Sequence, residues 1–114
     1  MENGEISDAQ ISASSHYDYN HAAIRERLHL KPWGIKQGAW CARSLDLNQW
    51  LQVDLVSFTT VAGVATQGRF SDKARQWVTS YYVQYSNDRV IFQFYTETWN
   101  SSAKVCSWGR KTVH

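Results

Sequence analysis

The sequence predicts an all-β domain that presents loops for binding. Apolar residues alternate with mostly polar ones along 49–55, which is the period of a strand with one face against a core. A small, largely apolar segment over 64–66 is broken by Gln67, Gly68 and Arg69, and an aromatic strand-like segment covers 76–82. The chain also holds six Trp, six Tyr and four Phe, and aromatic side chains favour half-buried pleated surfaces. Together these observations indicate a β-sandwich and favour a binding module over an enzyme.

Length and composition are those of one globular domain. The chain has 114 residues, of which 43% are hydrophobic and 19% charged, so we expect a modest core rather than disorder. No apolar stretch approaches the ~18 residues of a membrane span. The first five residues are polar and acidic, unlike a signal peptide. Cys41 and Cys106 permit one disulfide or none.

Charge is small overall but unevenly distributed. The net charge is +2, with five basic and seven acidic side chains in 1–60 and seven basic and three acidic in 61–114. A net charge of this size does not by itself indicate a nucleic-acid partner. A mixed solvated surface is favoured, and a basic binding face in the second half stays open.

The first half of the chain predicts short elements separated by turns. Residues 6–15 suit an extended lead-in with a short first strand, and 16–20 suit a loop, since Asp and Asn favour turns. Residues 22–30 fit either a helical turn or a strand. Pro32 ends that segment because it lacks a backbone donor.

The second half predicts a strand over 59–66, rich in Val and Thr, followed by a basic loop over 69–75. A long strand then carries alternate apolar side chains from Trp77 to Tyr85. Residues 87–89 predict a turn, and 90–96 a strand that completes a hairpin. No periodicity follows Glu97.

Several segments, in this order, resemble the discoidin domain family, also called the coagulation factor V/VIII type C domain. These segments are 1–6, 10–15, 27–28, 50–55 and 65–69. The resemblance covers about 1–97 and implies a jelly-roll β-sandwich of the galactose-binding-domain-like kind. It also implies an extracellular protein whose loops at one end bind phospholipid headgroups, glycans, collagen or protein receptors, commonly in cell adhesion.

The chain departs from the family pattern in four respects. The usual pair of terminal cysteines and the closing strands are missing, and the segment 98–114 does not resemble the family. Val56 stands where the family often has Gly. We therefore expect an incomplete discoidin domain over 1–97 and a divergent tail over 98–114.

Two candidate ligand-binding loops follow from position and composition. In 16–21 two tyrosines are flanked by polar side chains that suit a headgroup interface or a sugar, although the tyrosines could also fold back on the sandwich. In 69–75 three cations surround one Phe, as an anionic headgroup would require; a solvated hairpin is the alternative. The candidate residues of these loops are Tyr17, Asp18, Tyr19, Asn20, His21, Arg69, Phe70, Lys73 and Arg75.

A third candidate loop covers 43–48 and contributes Arg43 and Leu45. Here we expect Leu45 and Leu47 to pack against the domain, with ligand contact as the alternative. No loop carries the dense carboxylate spacing of a calcium site, and no zinc spacing occurs, so no metal or cofactor is predicted, although calcium stays possible.

The leading hypothesis is an extracellular adhesion module that recognises anionic phospholipid or a cell-surface receptor. The alternatives are a lectin for a galactose-type sugar, or a nonfunctional fragment of a larger adhesion protein. Expected partners are membrane phospholipid headgroups, cell-surface glycans or receptor proteins, with no nucleic acid. The expected location is secreted or on the outer face of the cell, with the signal peptide outside this chain. No nucleophile and base share a local signature, so no catalytic residue is predicted.

Overall fold

Short strands and single turns of 3-10 helix make up the regular structure. The computed structural model describes residues 5–69 and 76–96, together with the backbone of 105–107. The helical turns are η1 (Asp8–Gln10), η2 (Tyr19–His21) and η3 (Ala23–Arg25), and the strands are β1 (Ile11–Ala13), β2 (Leu51–Val53), β3 (Ser80–Tyr82), β4 (Gln84–Tyr85), β5 (Gln93–Phe94) and β6 (Val105–Ser107). None of the described residues is in an α-helix. The predicted all-β class is therefore confirmed.

The chain divides into two units, Met1–Gln76 and Trp77–His114. In the first unit β1 and β2 pair antiparallel, with Ile11 opposite Val53. The backbone ladder continues where Asp54 N donates to Gln10 O at 2.7 Å. Ile11 is 6% exposed and is the one buried apolar side chain in the described ranges, and β1 packs against η3. The predicted first strand and the centre of the predicted strand over 49–55 are both present.

In the second unit β4 and β5 form the predicted hairpin, with Gln84 opposite Phe94. The Tyr82 and Phe94 rings meet edge to face, with centroids 5.5 Å apart. The long strand predicted here is instead two short ones, β3 and β4, separated by Val83. β3 pairs antiparallel with β6, so a strand forms after Glu97 although the sequence there shows no periodicity. The pattern of β6 is too short to show a period.

The strand predicted over 59–66 does not form, since those residues are irregular. Val61 and Val64 are 60% and 59% exposed. A strand requires a neighbouring strand for its backbone groups, and β propensity alone does not supply one. This segment rich in Val and Thr therefore remains irregular and joins no sheet among the described residues.

The ambiguous segment 22–30 contains the helical turn η3, so the strand alternative for it is wrong. After Pro32 the chain reverses through a two-way backbone bridge, in which Trp33 and Lys36 exchange hydrogen bonds of 3.0 Å. Gly34 makes this turn possible with a φ of 59°. No helix in the described ranges is long and apolar enough to cross a membrane.

Candidate ligand-binding loops

The loop 16–21 is shaped by a cap at the start of η2. Asp18 is the N-cap residue, and its Oδ1 accepts a hydrogen bond from His21 N at 3.1 Å. The same oxygen lies 2.6 Å from His21 Nδ1. The hydrogen bond with the His21 side chain lowers the pKa of Asp18 below its ordinary value of 3.8. Asp18 and His21 therefore bind each other and hold the loop together, rather than pointing two free polar groups outward.

Both tyrosines of this loop face solvent. Tyr17 is 68% and Tyr19 is 76% exposed. The Tyr17 ring meets the His21 ring edge to face, with centroids 5.8 Å apart and an angle of 89°. Of the two sequence-based alternatives, exposure is the one observed. The loop can thus present aromatic rings to a partner from a fixed backbone.

The backbone of loop 16–21 is fastened to the segment 37–41. Tyr17 N donates to Cys41 O at 2.8 Å, and Cys41 N donates to His21 O at 3.2 Å. Gln37 N donates to Asn20 O at 3.1 Å, so the main chain of Asn20 is part of the framework. Cys41 is a half-buried free thiol whose pKa is raised by burial, with Arg69 opposing the shift. A second segment thus fixes the loop along its whole length.

The loop 43–48 places two leucines in solvent. Leu45 and Leu47 are fully exposed, so the expectation that they pack against the domain is wrong. Between them Asp46 Oδ1 accepts from Asn48 N at 2.8 Å, and Gln49 Nε2 donates to the same carboxylate at 3.0 Å. This Asp46 turn fixes the backbone with both leucines outward.

The loops 16–21 and 43–48 begin from a shared base. Ser15 Oγ accepts from Arg43 N at 3.1 Å and donates to Gln49 Oε1 at 2.6 Å. Ser15 O accepts from Trp40 Nε1 at 2.8 Å. Ser15 immediately precedes the first loop, so these bonds place the starts of both loops side by side. Sequence reasoning missed Ser15 and Gln49, because the contact joins residues far apart in the chain.

Arg69, at the start of the third loop, makes its contacts within the protein. Its Nη1 donates to Gln76 Oε1 at 2.7 Å, and its Nη2 donates to Gln37 Oε1 at 2.6 Å. Its backbone N donates to Gln76 O at 2.8 Å. Arg69 is half-buried, whereas Arg43 of the second loop is exposed. The candidates Phe70, Lys73 and Arg75 lie outside the described residues, and their roles stay predictions.

The described residues contain no group of three or more His, Cys, Asp or Glu side chains that could hold a metal ion. The expectation of no metal or cofactor, with calcium as the alternative, stays a prediction.

The arrangement of exposed loops on a small all-β framework agrees with a family match over most of the chain. The family model described as the F5/8 type C domain matches residues 10–112. The chain belongs to this family. The F5/8 type C match continues past residue 97, and the end of the domain expected there from the sequence stays a prediction.

Individual F5/8 type C relatives agree with the family match. The chain is 31% identical over 110 residues to retinoschisin of Homo sapiens, covering 92% of this chain and 47% of that protein. It is 39% identical over 108 residues to lactadherin of Mus musculus, covering 92% of this chain and 23% of that protein. It is 38% identical over 90 residues to neuropilin-1 of Xenopus laevis, covering 77% of this chain and 9% of that protein. The chain thus spans less than half the length of these relatives.

Proposed function

We propose that this F5/8 type C domain is an extracellular adhesion module that attaches to membranes containing anionic phospholipid. The observation that carries the proposal is the full exposure of Leu45 and Leu47 on a loop that the Asp46 turn holds in place. Two leucines in water on a fixed backbone are unfavourable for a free domain and suit insertion into an apolar phase.

The energetics favour insertion by these leucines. Removing a leucine side chain from water gains about 1.5–3 kcal/mol. Because the turn already fixes the backbone, little conformational entropy is lost on binding. The exposed rings of Tyr17 and Tyr19 suit the headgroup level, where an aromatic body and a polar hydroxyl are both accommodated.

Cations beside the leucines would supply the preference for anionic lipid. Arg43 is exposed and lies two residues before Leu45, and a cation near an anionic surface contributes about 1 kcal/mol. We assign Lys73 and Arg75 the same role and Phe70 an inserted one, as proposals from the sequence. Binding should then weaken as ionic strength rises.

The proposed activity is recognition without catalysis. Adhesion would follow if the remainder of a longer protein holds a second partner, since this chain spans less than half of its relatives. The extracellular location rests on the family, whose members act outside the cell. Labelling of the domain by antibody on intact, unpermeabilised cells would test the location.

Vesicle co-sedimentation tests the lipid site. With vesicles of phosphatidylserine and phosphatidylcholine, the Leu45→Asn/Leu47→Asn double variant should lose about tenfold or more in affinity. The matched control is Val61→Asn, which removes another exposed apolar side chain and should bind as the unaltered chain does. Equal affinity of the double variant and the unaltered chain would exclude these leucines from the site.

Two alternative partners are outcomes of the same assay. Binding to neutral phosphatidylcholine vesicles that carry a galactose-headed glycolipid, if free galactose competes it away and salt does not affect it, would favour a lectin. Absence of vesicle binding, with saturable binding to cells that protease treatment abolishes, would favour a receptor protein.

A further inference from the structure

Three separate segments meet at Gln37. Its backbone N donates to Asn20 O at 3.1 Å in loop 16–21, and its backbone O accepts from Arg25 Nε at 2.7 Å beside η3. Its side-chain Oε1 accepts from Arg69 Nη2 at 2.6 Å. One residue that carries no charge thus bonds to the first candidate loop and to the start of the third.

Arg69 is joined to Gln76 by two hydrogen bonds. The backbone bond from Arg69 N to Gln76 O at 2.8 Å and the side-chain bond from Nη1 to Gln76 Oε1 at 2.7 Å join the two residues that flank 70–75. The guanidinium fork is therefore divided between Gln76 and Gln37. Its Nε is shielded from solvent and has no hydrogen-bond partner among the described residues.

This geometry is typical of a structural contact within the protein rather than of a contact with a ligand. A guanidinium that pairs with phosphate presents its fork outward to two oxygens. Here the fork meets two neutral amide oxygens of the protein, and the shielded Nε leaves less of the cation available to solvent.

We infer that Arg69 and Gln37 are a positioning pair that fastens loop 16–21 to the bonded residues Arg69 and Gln76, and that Arg69 does not contact the lipid. The expected effect of this pair on lipid binding rests on the proposed function. It revises the sequence-based assignment of Arg69 as a headgroup ligand. Lysine cannot reproduce the pair, because an ammonium lacks the planar fork that reaches two amides at once.

Amide hydrogen exchange without lipid tests the pair itself. Gln37→Leu should speed exchange of the Arg69 amide, and Arg69→Lys should speed exchange of the Gln37 amide, each about fivefold or more. Gln49→Leu is the matched control, since it removes an amide from the base of loops 16–21 and 43–48, and it should leave both rates unchanged. Unchanged rates in Gln37→Leu and Arg69→Lys would overturn the inference whether or not the domain binds lipid.

Vesicle binding then separates positioning from direct contact. Arg69→Lys and Gln37→Leu should weaken binding by a similar factor of about three to ten, and the double variant should be no weaker than either, because both break one unit. The slope of affinity against salt should stay that of the unaltered chain. Full retention of affinity by Arg69→Lys, with a reduced salt slope in Arg69→Gln, would make Arg69 a lipid contact and overturn the inference.

Discussion

The backbone at Val56 lies in the left-handed region, with a φ of 67°. A β-branched side chain is unfavourable there because its Cβ crowds the neighbouring carbonyl. The conformation is imposed locally, since Asp54 Oδ1 accepts from Val56 N at 2.8 Å and Ser57 N donates to Leu55 O at 2.8 Å. Val56 itself is 79% exposed and contributes little packing.

Val56→Gly should therefore stabilise the protein. Relief of the left-handed strain should gain about 1–2 kcal/mol. This exceeds the free-energy cost of about 0.5–1 kcal/mol from the conformational entropy that glycine adds to the unfolded chain. We expect a net gain of about 0.5–1 kcal/mol, visible as a higher Tm in near-ultraviolet circular dichroism. Val61→Gly, at an exposed valine without positive φ, should lower Tm. A lower Tm in Val56→Gly as well would contradict the account.

Glu26 is a second residue whose environment in the folded state is unfavourable. Its Oε1 is shielded from solvent and has no hydrogen-bond partner in the described ranges. Burial raises the pKa of Glu26 above its ordinary value of 4.5, and the nearby Arg27 offsets part of the shift. The folded state thus holds this proton more tightly than the unfolded chain does.

Glu26→Gln should stabilise the protein at neutral pH but not in acid. Below about pH 4.5 both states of the unaltered chain keep the proton, so the charge imposes no penalty. As pH rises through 4.5 and the raised folded pKa, the unfolded state gains more from ionisation, and stability falls. Glu26→Gln should avoid this loss, so its free energy of unfolding at neutral pH should exceed that of the unaltered chain. Because the group is half-exposed, the difference should be at most about 1 kcal/mol. Denaturant unfolding at pH 4 and pH 7 measures it, and an equal gain at both values would refute the explanation.

At the scale of elements, Asp88 organises the loop between β4 and β5. Its Oδ1 accepts from Val90 N and Ile91 N, each at 2.9 Å, and from Ser86 Oγ at 2.8 Å. The Ile91 and Val90 backbone bonds, followed by the Ser86 hydroxyl, lower the pKa of Asp88 to about 2. This one carboxylate receives the backbone donors that turn the chain back into β5.

Asp88→Ala should loosen the hairpin, because two backbone donors lose their acceptor. We expect faster amide exchange at Val90 and Ile91 and a lower Tm. A depressed pKa stabilises above pH 3.8 and ceases to do so as pH falls through about 2. The Tm difference between the unaltered chain and Asp88→Ala should therefore narrow across that range. A Tm difference that stays constant down to pH 2 would show that the charge of the Asp88 carboxylate does not contribute to stability.

Elements set by local signals could be predicted from the sequence, and elements set by pairing could not. The alternation of apolar and polar residues over 49–55 predicted β2, and the turn residues near Asp88 predicted the β4–β5 hairpin. The Val and Thr of 59–66 carried the same propensity as a strand but found no partner. β6 pairs with β3 across a long sequence separation, and three residues carry no readable period.

At the scale of the whole molecule, the family could be predicted, whereas the exposure of the tyrosines in loop 16–21 stayed open and the base of the loops could not be predicted. Ser15, Gln37 and Gln49 act through hydrogen bonds to residues distant in sequence. Polar residues of this kind show no spacing that separates them from surface residues. The sequence also misjudged Leu45 and Leu47, because hydrophobicity favours burial whereas the Asp46 turn directs both outward.

Paramagnetic broadening by a spin label in the lipid acyl chain tests the central claim most directly. The unaltered chain is observed with phosphatidylserine-containing nanodiscs that carry the label, and methyl signals are compared with those from unlabelled discs. Insertion through the 43–48 loop predicts strong broadening of the Leu45 and Leu47 methyls and little at Val61 or Val64, which are exposed elsewhere in the chain. Binding to the discs without broadening at the two leucines, or with equal broadening at all four residues, would contradict insertion through the 43–48 loop.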